Sequence, residues 1–204
     1  MTPRTVFLAG LFTAALAGPA AAGEDVSSIY TKLEFDTDCV QLSADPMGGS
    51  FSCSGHGGYG VLLAEGDLRQ SAFFGYVGDW YADNAWESFG AFNQTNDTVE
   101  WRLRGGVPFA TILRWFIENP NPDTGAPDEA HRGQVLVVSR VGQPGVGEAC
   151  VVGYVDALAN GDANTVAREV ADTLAGDFTC RVDEPQFHGE RGALASDPMR
   201  VFGN

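Results

Sequence analysis

Positive charge is what this sequence has least of. Its 204 residues hold 12 lysines and arginines against 27 aspartates and glutamates, for a formal charge of −15. Lysine occurs once, at Lys32, and arginine supplies the rest. Recognition of a phosphate backbone needs a basic face, so the composition excludes nucleic-acid binding. Cysteine is sparse too: four residues are too few for a disulfide-dense mini-protein. Histidine occurs three times, at His56, His131 and His188. Cys53-Ser54-Gly55-His56 has ligand-like spacing, but a zinc site needs four placed ligands and the other histidines are scattered. No metal and no cofactor is expected. Long apolar runs are confined to the first residues. Apolar residues still make up 44% of the chain, close to the globular average, which excludes disorder throughout.

The one apolar run has the layout of an export signal. Arg4 gives a positive start, Val6 to Ala17 is apolar, Pro19 breaks the run, and Ala20-Ala21-Ala22 offers small residues before Gly23. The run is short of the roughly 20 residues a membrane-spanning helix needs. Residues 1–22 are therefore expected to be a signal peptide and residues 23–182 a single domain. Residues 183–204 are polar, with Pro185, Gly189, Gly192 and Pro198, and are expected to be a disordered tail. Export implies a periplasmic or secreted protein in an oxidising compartment, where Cys39, Cys53, Cys150 and Cys180 should pair. Cys39 and Cys53 flank the turn-rich Pro46-Met47-Gly48-Gly49, which suits a hairpin bridge. Cys150 opens a strand and Cys180 follows the helix, so 39–53 and 150–180 are the favoured pairs of the three connectivities.

Strand signals dominate the rest. Ile29 to Phe35 alternates, Phe51 to Cys53 is short, and Val61 to Ala64 turns at Glu65-Gly66-Asp67 into Leu68 to Val77. Asn93 to Asp97 reads as a polar turn. Thr98 to Arg104 alternates with Val99, Trp101 and Leu103 inward, and Gly105-Gly106 is a two-residue hairpin loop. In that register Trp101 lies opposite Ala110 and Glu100 opposite Thr111. Val107 to Ile117 is apolar on both faces, as a central strand is. Glu118 to Gly133, with three prolines, reads as a long loop, followed by strands at Gln134 to Val141 and Ala149 to Val155. Asp162 is a candidate N-cap for a helix whose apolar stripe is Val166, Val170, Leu174 and Phe178 with Ala167, Ala171 and Ala175 beside them, and Arg168, Glu169 and Asp172 facing water. The fold class predicted is α+β: a twisted antiparallel β-sheet of six to eight strands with one C-terminal amphipathic helix packed on it.

No catalytic set is legible. His56-Gly57-Gly58-Tyr59-Gly60 is similar to the oxyanion segment of esterases, but no serine sits in a G-x-S-x-G elbow, and a glycine-rich bend explains the same residues. Asp156, Asn160, Asp162 and Asn164 supply oxygens that suit calcium, yet lack the EF-hand order; capping and a tight turn account for them. Glu100, Arg102, Arg104 and Arg114 read as a solvated face of cross-strand ion pairs. The candidate binding residues are Trp80, Tyr81 and Trp86, whose rings lie among carboxylates, together with His56 and Tyr59.

Ala64-Glu65-Gly66-Asp67-Leu68, Pro108 to Phe116, Gly133 to Val138, and Gly153 to Asn160 running on through Asp162 and Asn164 to Arg168 carry a resemblance. From Tyr30 to Cys180 the chain resembles a family of small exported proteins of Gram-negative bacteria to which no activity is attached. The resemblance implies the location and the four cysteines, and no catalytic residue. The reading that follows is a non-enzymatic binding or inhibitor module of the cell envelope, with a basic protein or envelope component as partner. An inhibitor of a cationic enzyme such as lysozyme would fit the charge. The alternatives are a cell-envelope hydrolase using carboxylates or His56, and a structural accessory that works through an exposed strand edge.

Overall fold

A computed structural model describes Met1, residues 25–78 and residues 85–202. The expected signal peptide lies outside the described residues, as do Trp80 and Tyr81. In chain order the elements are β1 (Val26–Lys32), the one-turn helix α1 (Phe35–Asp38), β2 (Cys39–Asp45), β3 (Gly48–Cys53), β4 (Val61–Gly66) and β5 (Arg69–Phe74). There follow β6 (Trp86–Phe89), β7 (Phe92–Arg104), β8 (Val107–Pro120), β9 (Pro127–Arg140), β10 (Cys150–Asp156), α2 (Ala163–Leu174), β11 (Gln186–Phe187) and β12 (Pro198–Val201).

Among the described residues the strands form three sheets. The largest has six strands in the order β1-β7-β8-β9-β10-β11, antiparallel except for the short β10–β11 pair. A second has the order β2-β3-β4-β5, and β12 pairs with β6. The expected antiparallel sheet with a helix on it is present, and a second sheet was not foreseen. It packs on one face of the first, where Trp101, Leu113, Val135 and Tyr154 meet Val61, Leu63 and Phe74. On the opposite face Ile112, Leu136 and Val155 meet Ala167, Val170 and Ala171 of α2. A sheet covered on both sides needs apolar residues at successive positions, which is why β8 and β10 do not alternate. Both predicted disulfides form: Cys39–Cys53 joins opposed residues of β2 and β3, and Cys150–Cys180 ties the segment after α2 to β10.

Several expectations need correction. Trp101 pairs with Thr111 and Glu100 with Ile112, not with Ala110 and Thr111. The Gly105-Gly106 turn forms as predicted, but a bulge opposite Arg102 and Leu103 inserts Phe109 and moves the register by one. Glu118 to Gly133 is not a loop: β8 and β9 run on as a hairpin to the Pro120–Pro127 pair, clamped by Arg132 Nε on Glu118 Oε1 at 2.8 Å. Prolines are tolerated there because the pair sits at the end of the ladder.

The helix is not the last element, and its buried face is the alanine side of the predicted stripe, without Leu174. Ala163, Ala167, Val170 and Ala171 are buried, whereas Leu174 is exposed. Small residues let α2 lie close on the sheet and bring Arg168 and Asp172 inward over β7. Arg168 Nε donates to Glu100 Oε1 at 2.6 Å, and Arg102 Nε donates to Asp172 Oδ1 at 2.9 Å. Of the predicted solvated face, Glu100 and Arg102 are thus buried in ion pairs with the half-buried Arg168 and Asp172. Burial pushes the Glu100 carboxyl up, but hydrogen bonds from Arg168 and Ser28 outweigh it and hold the group below its usual range.

The segment 183–202 was expected to lack structure, and here it is folded against the domain. β11 extends β10, and Ala195 is buried. Asp156 Oδ2 accepts the Gly192 N–H at 2.8 Å, and Asn160 exchanges hydrogen bonds with the Glu190 backbone. Asn119 Nδ2 donates to Leu194 O at 2.8 Å. Gly133 lies so close that a Cβ there would sit 2.1 Å from Leu194 O. Composition registers the polar side chains of this segment but not the partners waiting for its backbone.

Candidate functional site

The sequence-flagged residues fall in two places. His56 and Tyr59 lie in the glycine-rich bend between β3 and β4. The Tyr59 ring meets Tyr76 edge-on at 5.3 Å, and its hydroxyl donates to Gln143 Oε1 at 3.0 Å. Gln143 is itself anchored, since its Nε2 donates to Pro108 O and Val141 O. Tyr76 and Gln143 were not singled out from sequence; the only signal was the tyrosine at the end of a predicted strand. Among the described residues the His56 imidazole makes no hydrogen bond or ion pair, so it has no orienting carboxylate and no serine to activate. Trp86 is elsewhere. It opens β6 opposite Val201, and its ring lies near Gly66, at the other end of β4 from the His56 bend. The fold does not bring Trp86 to His56 and Tyr59.

The oxygen cluster around Asp156 is occupied by the chain itself. Asp156 Oδ1 accepts the N–H groups of Leu158 and Ala159, and Oδ2 that of Gly192. Asp162 stands at the N-cap position of α2 without a side-chain capping bond. Among the described residues no group of three potential ligands gathers to hold a metal ion.

One buried carboxyl has a strongly raised pKa. Glu87 on β6 is 2% exposed. Its Oε2 accepts the Val151 N–H at 2.7 Å and its Oε1 accepts Arg200 Nε at 2.8 Å. Burial nonetheless pushes its pKa up to about 7, the Arg200 charge offsetting only part of the desolvation. Both oxygens are bound and the group faces no solvent, so it joins β6, β10 and β12. Beside it, burial and the Glu87 charge raise the Tyr154 hydroxyl.

No protein family, curated protein or solved structure matches the chain. The site must therefore be read from its own chemistry, and the feature that stands apart is the surface carried by α1 and β2. From Leu33 to Leu68 the chain has no lysine or arginine and six carboxylates: Glu34, Asp36, Asp38, Asp45, Glu65 and Asp67. Only Asp67 among them forms an ion pair within the described residues, with Arg69 at 2.6 Å. Between these charges apolar side chains stand in solvent: Val40 is 67% exposed, Leu42 53% and Met47 63%. Phe35 is exposed beside them, edge-on to Phe51 at 5.7 Å. The Cys39–Cys53 bridge ties the start of this strand to β3. Sequence reading found the net charge and the hairpin but not this concentration, because exposure of Val40 and Leu42 depends on β2 lying at the edge of its sheet.

Among the described residues no helix is long and apolar enough to cross a membrane.

Proposed function

We propose that this chain is an exported, disulfide-braced binding module that engages a basic protein without carrying out chemistry on it. The observation that carries the reading is the stretch 33–68, with six carboxylates, no lysine or arginine, and solvent-exposed apolar side chains among the charges. An acidic surface of this kind steers basic partners to it, and the apolar groups supply area to hold them once they arrive. The two disulfides support an oxidising compartment, periplasmic or extracellular. The resemblance to small exported proteins of Gram-negative bacteria supports the same location. Inhibition of a cationic enzyme is one form the activity of such a module takes.

The test is a capture experiment with immobilised mature protein, disulfides formed, from envelope and culture extracts. A stoichiometric basic partner is expected at low salt. It should be lost as ionic strength rises from about 20 mM to about 200 mM, where screening shortens to within a contact or two. It should also be lost when Asp36→Lys and Asp45→Lys are combined. No partner at either salt, or a partner indifferent to both salt and the charge reversals, would overturn the reading.

A further inference from the structure

The open edges of the sheets are not alike. β1 carries Lys32, which is bonded to Asp97, and Tyr30, whose hydroxyl accepts Arg168. β11 has two residues. β12 begins with Pro198, and its Arg200 is committed to Glu87 and Glu184. Each of these has a device that natural proteins use to blunt a strand edge: a charge, a proline or brevity. β2 has only Asp45, at its last position. It is seven residues long, Cys39-Val40-Gln41-Leu42-Ser43-Ala44 is uncharged and lacks proline, and every residue after Cys39 is exposed. Its neighbour on one side is β3; on the other, among the described residues, its outward N–H and C=O groups have no backbone partner.

Resting on the reading of a basic partner, we propose that the outer edge of β2 is where that partner docks, by adding a short basic segment as a further strand of the four-stranded sheet. Main-chain hydrogen bonds along an edge give affinity without regard to sequence, and the flanking side chains select the partner. Asp36 and Asp38 stand before the strand and Asp45 at its end, so carboxylates meet the side chains of a basic segment at both ends of the ladder. Val40, Leu42 and Met47 give apolar contact between them. The same carboxylates disfavour a second copy of this chain, whose β2 would bring like charges together. A bulge at Leu42 breaks the β2 ladder between Gln41 and Ser43. The edge is therefore two short runs and not one flat template, which suits a short segment and opposes growth of extended sheets.

The experiment titrates the mature protein with an acetylated peptide of about ten residues, arginine alternating with valine or threonine, a length matched to a strand. Two control peptides replace arginine by aspartate or carry N-methyl groups on alternate amides, which abolishes the ladder. Affinity is read by calorimetry and the contact by amide hydrogen exchange over residues 39–45. The arginine peptide is expected to bind and to slow exchange in β2, and both controls to lose at least about tenfold in affinity. Leu42→Lys and, separately, Val40→Lys should weaken binding by a similar factor. Val107→Lys, at the β7–β8 turn, should not. If the arginine and N-methyl peptides bind equally and β2 amides are unprotected, the strand-addition proposal is overturned while the basic-partner reading stands. If no arginine peptide binds at low salt, the edge proposal is overturned, and the capture experiment decides the broader reading separately.

Discussion

Glu87 shows how a single buried residue couples this fold to pH. Its carboxyl is raised to about 7 in the folded protein from the 4.5 of a free glutamate, chiefly by burial. Between those values the native state binds a proton that the unfolded chain does not, so stability falls as pH rises through the window. The contribution is complete below about pH 4.5 and lost above about pH 7, and a shift of this size is worth on the order of 3 kcal/mol. Thermal melts of the wild type should therefore move to lower temperature between pH 5 and pH 8. In Glu87→Gln, which cannot ionise, that portion of the slope should vanish. An unchanged slope in the variant would place the pH dependence elsewhere. The groups around it are Arg200, Glu184 and Tyr154, and Arg200 keeps Glu184 at 3.0 Å when Glu87 is neutralised. Arg200 thus retains a counter-charge, and the variant should fold.

At the level of elements, the β4–β5 hairpin is closed by a turn with one unfavourable residue, Leu68. Asp67 has φ of 50° and Leu68 of 60°, so both central positions are left-handed. Two-residue hairpin turns of this hand favour Asn or Asp followed by Gly. Leucine there costs on the order of 1 kcal/mol, because its Cβ crowds the carbonyl oxygen. Leu68 is exposed and lies over a shallow groove with Phe92 and Pro127. Leu68→Gly should raise stability in urea by about 0.5 kcal/mol, the relief of strain exceeding the entropy that glycine loses. A loss instead of a gain would mean that the leucine contacts in that groove outweigh the strain. The same groove then becomes the second surface to examine for a partner.

At the scale of the whole molecule, the last residues close the fold. β12 completes β6, Arg200 offsets the Glu87 charge, and Gly192 and Glu190 satisfy Asp156 and Asn160. Deleting everything after Val182 would leave Glu87 and Asp156 without these partners and uncover Tyr154. Removing one partner of a buried charge costs about 3 to 5 kcal/mol, so the shortened chain should be destabilised by at least that much in urea or fail to accumulate. A dispensable tail would change stability by less than about 0.5 kcal/mol. The measurement thus separates the folded segment seen here from the disordered one its composition suggests.

What could be read from the residues alone was local. The periodicity of Thr98 to Arg104, the Gly105-Gly106 turn, the bridge across Pro46 to Gly49 and the helix after Asp162 depend on neighbours within a few positions, and each is present. The apolar character of Val107 to Ile117 announced a strand covered on both faces, although nothing local said that a second sheet would be one of the covers. What only the tertiary structure decided were relations between distant residues. Phe109 is bulged, which moved Trp101 onto Thr111. Arg168 and Asp172 turned inward because Glu100 and Arg102 lay opposite. The polar segment after Val182 is ordered because Asp156, Asn160 and Glu87 are there to receive it. Of the candidate site, the excess of carboxylates was legible by counting. The exposed edge of β2 was not legible, since a strand becomes an edge only through the absence of a neighbour, and pairing is set by contacts far apart in the chain. Short-range geometry is written in adjacent residues, whereas burial, ionisation and open edges follow from how the whole chain closes on itself.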